Sequence, residues 1–147
     1  MNRILLLCLA LLPLSSVAEP PLEISAAWVR ALPPTQPNTA AYLTLRNGGE
    51  RELVVVGASA DVAGRVEVHH TRQVDGLMRM EQLQRLPVAP GATVKLEPGG
   101  AHLMLLDLQR MPAPGDEVRL CLQLASAEEV CTVAAAHKSG PAGHHHH

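Results

Sequence analysis

Apolar and polar positions alternate along most of the chain, and that period of two predicts β-strands. Leu22, Ile24, Ala26 and Trp28 alternate with polar or small residues over a first strand. Ala41, Leu43 and Leu45 alternate against Tyr42, Thr44 and Arg46 over a second. Residues 53–56 form an unbroken apolar run, expected to be buried on both faces. Further strands are predicted at 66–71, 77–82, 93–97, 102–108, 118–124 and 129–135. Between them stand turn signals. Asn47-Gly48-Gly49 reads as a hairpin turn joining the second and third strands, and Asp75-Gly76 as a type I′ turn. Pro98-Gly99-Gly100 and Pro112-Ala113-Pro114-Gly115 break later strands, and the prolines of 31–38 make a rigid loop. Beyond the first residues no stretch holds a helical period for three turns. The expected fold is all-β, an antiparallel Greek-key sandwich or small barrel.

Composition narrows this picture only slightly. With 147 residues the chain has room for one domain and its core. It has no Phe, one Trp and one Tyr, so Leu, Val and Ala must fill that core. The formal charge is −2 and Lys and Arg are scattered, which argues against nucleic acid or an anionic membrane surface as partner.

Residues 1–18 read as an export signal. Asn2-Arg3 precedes an apolar run at 4–14, and Ser16-Val17-Ala18 offers small residues for cleavage near Ala18. The run is too short for a stable membrane span. The expected organisation is therefore a signal at 1–18, a β-domain at 19–136 and a polar tail at 137–147. The mature protein is expected outside the cytoplasm, without stable membrane insertion. Cys8 would leave with the signal. Cys121 and Cys131 lie in two alternating runs and face each other if the hairpin is centred on Ser126. In an oxidising compartment a cross-strand disulfide is the expected state, with a redox-active or metal-binding thiol pair as the alternative.

The candidate chemistry lies between residues 69 and 104. His69 is followed after ten residues by Met80, after twenty-one more by His102, and after one more by Met104. Imidazole nitrogen with thioether sulfur suits a soft cation, copper in its reduced state above all. Calcium and magnesium want oxygen ligands, and zinc sites add thiolate or carboxylate. With Asp75-Gly76 as a two-residue turn, Thr71 opposes Met80 and His69 opposes Gln82. His69 and Met80 are then diagonal neighbours on one face. His102 and Met104 share a face at about 7 Å along one strand. Leu106 and Leu108 continue that face and are expected to enter the core, leaving His102 and Met104 at an exposed rim. Met78 shares the face of Met80 and could replace it. His70 faces away with Val66 and Val68. Taken singly, a Met on a strand face is usually core filler and a single His usually a surface or hydrogen-bonded residue, so each of the four alone reads as structural.

The spacing resembles the H-(M)-x10-M-x21-H-x-M pattern of the periplasmic PCu(A)C copper chaperones. AWVRALPPTQPNTAAYLTLRNGG, VEVHHTRQVDGLMRM and LEPGGAHLMLLDL resemble that family's characteristic segments. The likeness spans roughly residues 22–135. It implies a cupredoxin-like fold and a Cu(I) site made by His69, Met80, His102 and Met104. It also implies periplasmic delivery of copper by ligand exchange, to the CuA or CuB centres of respiratory oxidases or to their assembly factors. His70 stands where the optional Met would follow the first ligand.

The tail carries His137, His144, His145, His146 and His147, a clustered set that suits Cu(II). A trimmed purification tag is the alternative origin of that run. No catalytic role is expected, since H-E-x-x-H and G-x-S-x-G are absent. A blue-copper centre would need a Cys ligand beside His and Met, which neither Cys121 nor Cys131 offers. The remaining alternatives are a metal-free interaction or adhesion sandwich and a copper buffer without a dedicated recipient.

Overall fold

The structure, a computed structural model, describes residues 21–140. The expected signal, Cys8 and the four terminal histidines lie outside that span. Ten strands follow in chain order: β1 (Leu22–Arg30), β2 (Thr39–Asn47), β3 (Leu53–Ala60), β4 (Ala63–Val74), β5 (Leu77–Gln82), β6 (Leu86–Val88), β7 (Thr93–Leu96), β8 (Ala101–Leu108), β9 (Glu117–Leu124) and β10 (Glu129–His137). Among the described residues there is no helix. The strand order β4-β8-β2-β1-β10-β9-β3 closes on itself through pairing of β3 with β4, giving a seven-strand barrel. β5, β6 and β7 are appended to β4, β3 and β2. Every pairing is antiparallel except that of β1 with β10, which makes the barrel mixed.

One side chain in two faces the barrel interior. Leu43, Leu45, Val55, Leu103, Leu105, Val118, Leu120 and Leu122 are among its fully buried members. Aliphatic residues therefore do fill the core, as the lack of Phe requires. The Asp75-Gly76 turn has positive φ at both residues, 51° and 78°, the requirement of a type I′ hairpin. Across it Thr71 opposes Met80 and His69 opposes Gln82, the register read from the sequence.

Several expectations fail for identifiable reasons. Asn47-Gly48-Gly49 does not close a hairpin: β2 pairs with β1, β7 and β8, whereas β3 pairs with β4, β6 and β9. The segment instead crosses the barrel end, pinned by the fully buried Asn47. Its Nδ2 donates to the carbonyls of Arg51 at 2.7 Å and Val88 at 2.9 Å, and its Oδ1 accepts from Gly49 N–H. The run 53–56 is not buried on both sides, for Val56 is 42% exposed. β6 escaped the alternation pattern because it has three residues with Pro87 in the middle; an edge position lets Pro do without a ladder donor.

Two further departures shape the candidate site. A bulge between Ser25 and Trp28, with Ala26 at φ 50°, turns Trp28 to the outer face while Val29 enters the core. On β8 the interior positions are Leu103 and Leu105, so the face of His102 and Met104 is the outer one. Leu106 stays out of the core, and Leu108 packs against it only after Asp107, at φ 52°, has broken the alternation.

Candidate metal centre

β4 runs between β5 and β8, and this brings the four sequence-predicted residues together on one outer face. His69 lies directly opposite His102 across β4 and β8, and Glu67 lies opposite Met104. On the other side of β4, Thr71 faces Met80, which leaves Met80 diagonal to His69. The imidazole centroids of His69 and His102 are 5.9 Å apart. Met80, His102 and Met104 line a cavity of about 440 Å³, together with Arg30, Tyr42 and Thr71. Met78 shares the face but lies one step further out, opposite Gln73, and does not line the cavity. His70 is exposed on the opposite face, as expected.

The exposed rim expected for His102 is not observed: its residue is only 6% exposed. A row of rings explains the burial. Trp28 packs tilted against Tyr42 with centroids 4.6 Å apart, Tyr42 stands 6.4 Å from His102, and His102 continues to His69. The Arg30 guanidinium lies 5.6 Å from the Tyr42 centroid, a cation–π contact. No carboxylate pairs with Arg30 among the described residues, and its Nε is buried without a partner. At the other extreme Met80 is 53% exposed. The four residues thus grade from a buried imidazole to an open thioether.

The hydrogen bonds assign the ring nitrogens. His102 Nδ1 is 3.1 Å from the carbonyl of Gly100, which can only accept, so Nδ1 carries the proton and Nε2 keeps its lone pair. Burial pushes the His102 pKa below its usual value; the Gly100 contact opposes this, and the neighbouring His69 and His70 add to it. The neutral form is thereby favoured, the form that binds metal. His69 has the reverse arrangement. Its Nε2 donates to Glu67 Oε2 at 2.8 Å, and its Nδ1 is buried with no partner at all. A buried ring nitrogen without a partner is uncommon and calls for an explanation such as a role as metal ligand. Two imidazoles, each with one ring nitrogen held by an acceptor and the other left without a hydrogen bond, stand beside two thioethers, a donor set that suits a soft cation.

Glu67 and Arg30 were missed in the sequence reading. Glu67 was detectable, because residue i−2 on a strand shares the face of residue i. Arg30 was not, since its face depends on the bulge at Ala26.

Cys121 and Cys131 lie directly opposite in the β9–β10 pairing and are joined by a disulfide, with Cα atoms 4.0 Å apart. Glu129 Oε1 is 3.6 Å from the Cys131 sulfur. Strands β1 and β2 separate this bridge from β8 in one direction around the barrel, and β3 separates it from β4 in the other. His137 ends β10, beside Arg30 in the β1–β10 register, and its carbonyl accepts from Ala31 N–H. The last strand therefore takes in the first residue of the expected tail.

A mixed β-barrel with two imidazoles and two thioethers on one outer face is a cupredoxin-like domain of the PCu(A)C type. The chain belongs to the LpqE-like family, described as "Putative lipoprotein LpqE-like", whose model matches residues 22–136. Among curated relatives, "Putative lipoprotein Lxx21020" of Leifsonia xyli subsp. xyli is 31% identical over 106 residues, 70% of this chain and 61% of the relative. An uncharacterized protein of Rickettsia prowazekii, RP573, is 30% identical over 84 residues, 56% of this chain and 46% of the relative. The chain thus spans less than two thirds of the curated relatives it matches. Among solved structures, the copper-bound PCuAC domain from PmoF2 superposes with TM-score 0.68 at 21% identity, covering 83% of this chain and 97% of that one. CuI-DR1885 from Deinococcus radiodurans superposes with TM-score 0.61 at 28% identity, covering 84% of this chain and 82% of the other.

Proposed function

We propose that this protein is an extracytoplasmic copper chaperone that holds one Cu(I) ion between His69, Met80, His102 and Met104. The observation that carries the reading is the placement, on the face of β5, β4 and β8, of two thioethers and two imidazoles that each keep one ring nitrogen free of hydrogen bonds. The copper-bound PmoF2 domain and CuI-DR1885 support the choice of metal, and the lipoprotein relatives support a location outside the cytoplasm. The reading includes cleavage of residues 1–18 and a domain beginning at residue 19.

All four donors are neutral, and thioethers favour the reduced ion without offering a thiolate to oxidation. The gradient of exposure gives release a direction. Met80, on the open edge strand, is the donor an acceptor displaces first, and His102, under Tyr42, is the last to let go. Copper moves by ligand exchange, with no bond in the protein made or broken. The recipient is an oxidase subunit with a CuA or CuB centre, or an assembly protein that serves it. The tail histidines His144 to His147, with His137 at the end of β10, form a second station for Cu(II).

Competition with a chromophoric Cu(I) chelator tests the core site. The full chain and a variant with His144 to His147 changed to Ala are each expected to retain one tight equivalent. The variant lacking all four core donors is expected to lose it. If the tail variant takes up no Cu(I), the core reading is wrong and the domain is an interaction module.

A further inference from the structure

Strand β4 carries a polar relay beside the candidate ligands. Arg65, Glu67 and His69 are spaced by two, so all three project from the outer face. Arg65 Nε is 3.3 Å from Glu67 Oε1, and His69 Nε2 is 2.8 Å from Glu67 Oε2. The carboxylate therefore accepts a hydrogen bond from His69 on one oxygen and has an ion-pair contact with Arg65 on the other. Its side chain is 18% exposed and that of His69 16%, so water competes poorly for the bond between them.

We infer that Glu67 is a positioning residue of the copper centre, fixing His69 in the tautomer and ring orientation that present Nδ1 to the ion. This rests on the copper reading above. A carboxylate accepts and cannot donate, so the nitrogen facing it must carry the proton. In neutral imidazole the other nitrogen, Nδ1, then holds the lone pair. That nitrogen is the one left buried without a hydrogen-bond partner. The opposite tautomer would set an Nε2 lone pair against the carboxylate and bury an N–H with nothing to receive it. His102 reaches the same end through a backbone carbonyl, Gly100, and presents its Nε2. The two imidazoles thus use different nitrogens, each chosen by the partner of the other. A carboxylate behind a ligating imidazole also raises its basicity. Among the described residues Glu67 is the only carboxylate hydrogen-bonded to any of the four donors. It therefore sets a negative charge beside an otherwise neutral ligand set.

Two readouts test this on the full chain. Long-range proton–nitrogen correlation NMR on the metal-free protein reports the His69 tautomer, expected to be Nε2–H. Glu67→Gln, which retains an acceptor, is expected to keep that tautomer, and Glu67→Ala to lose it. In chelator competition Glu67→Ala should weaken Cu(I) binding by about 10–100-fold, the usual cost of an outer-shell partner, and Glu67→Gln by less. Glu81→Gln is the control for charge alone, since Glu81 binds Arg72 on the neighbouring strand and touches no ligand. An unchanged tautomer in Glu67→Ala overturns the inference, as does equal weakening by Glu81→Gln and Glu67→Gln. Absence of Cu(I) uptake by the parent overturns the copper reading instead, and the tautomer measurement still decides the role of Glu67.

Discussion

Strands β4 and β8 build two different surfaces from alternate residues. Their inner positions, Val66 and Val68 with Leu103 and Leu105, are aliphatic and buried. Their outer positions, Glu67 and His69 with His102 and Met104, carry three of the four candidate donors and the carboxylate that faces one of them. The inner set stabilises by volume and area, so its members are interchangeable within their packing. In the proposed copper site the outer set would act through particular atoms: one nitrogen of each ring and one lone pair of each sulfur. Stability and metal affinity should therefore separate by parity along the same strands.

The sharpest way to break that separation is at Leu105, which is fully buried. Leu105→Ala should cost about 2–5 kcal/mol in urea unfolding, from lost transfer energy and the cavity left behind. The fraction that remains folded should bind Cu(I) as the parent does. A large fall in the affinity of the folded protein would show that the two faces are mechanically coupled.

The disulfide is an outer-face feature that should behave like an inner one. Cys121→Ser with Cys131→Ser opens a ten-residue separation. It is expected to lower stability by about 2–4 kcal/mol while leaving Cu(I) uptake unchanged. Strands β1 and β2 lie between the bridge and β8 on one side and β3 between it and β4 on the other, so a change in copper affinity would mean that the barrel transmits strain.

His102 lies between the two classes, an outer residue that is buried. His102→Ala removes the Gly100 hydrogen bond, worth about 1 kcal/mol. The loss of Cu(I) affinity should exceed the ~10–100-fold expected for an outer-shell partner. Chelator competition and thermal unfolding on one sample would give both values. A stability loss without an affinity loss would remove His102 from the ligand set.

What was legible in the sequence follows from the range of each interaction. The β4–β5 register is local: Asp75 and Gly76 demand a two-residue turn, and everything from Val74↔Leu77 to His69↔Gln82 follows from it. The opposition of Cys121 and Cys131 was local in the same way. The juxtaposition of His69 and His102 was not, because thirty-two residues lie between them and strand pairing at that distance leaves no mark in either segment. The inner face of β8 was ambiguous because Leu stands at both parities, Leu103 and Leu105 against Leu106 and Leu108. Trp28 was misplaced because the bulge turns on Ala26, a residue that gives no warning of positive φ. Asn47 deceived differently. Its sequence is that of a turn, but its side chain is satisfied by carbonyls from Arg51 and Val88, which only the closed barrel brings near.

The smallest expected change in stability is at Met80 and Met78, and this pair isolates the contribution of ligand atoms from everything else. Both are exposed, at 53% and 63%, on an edge strand, so replacing either by Leu should move stability by no more than about 0.5 kcal/mol. Leu preserves the volume and removes only the sulfur. Met80 is diagonal to His69 and lines the cavity with His102 and Met104, whereas Met78 sits one pair further along, opposite Gln73. Met80→Leu should therefore weaken Cu(I) binding and speed its removal by a chelator, since the outermost donor is gone. Met78→Leu should do neither. Equal weakening by the two substitutions would mean that β5 slides or twists to offer either sulfur. The centre would then be a shared thioether site in place of a four-donor one.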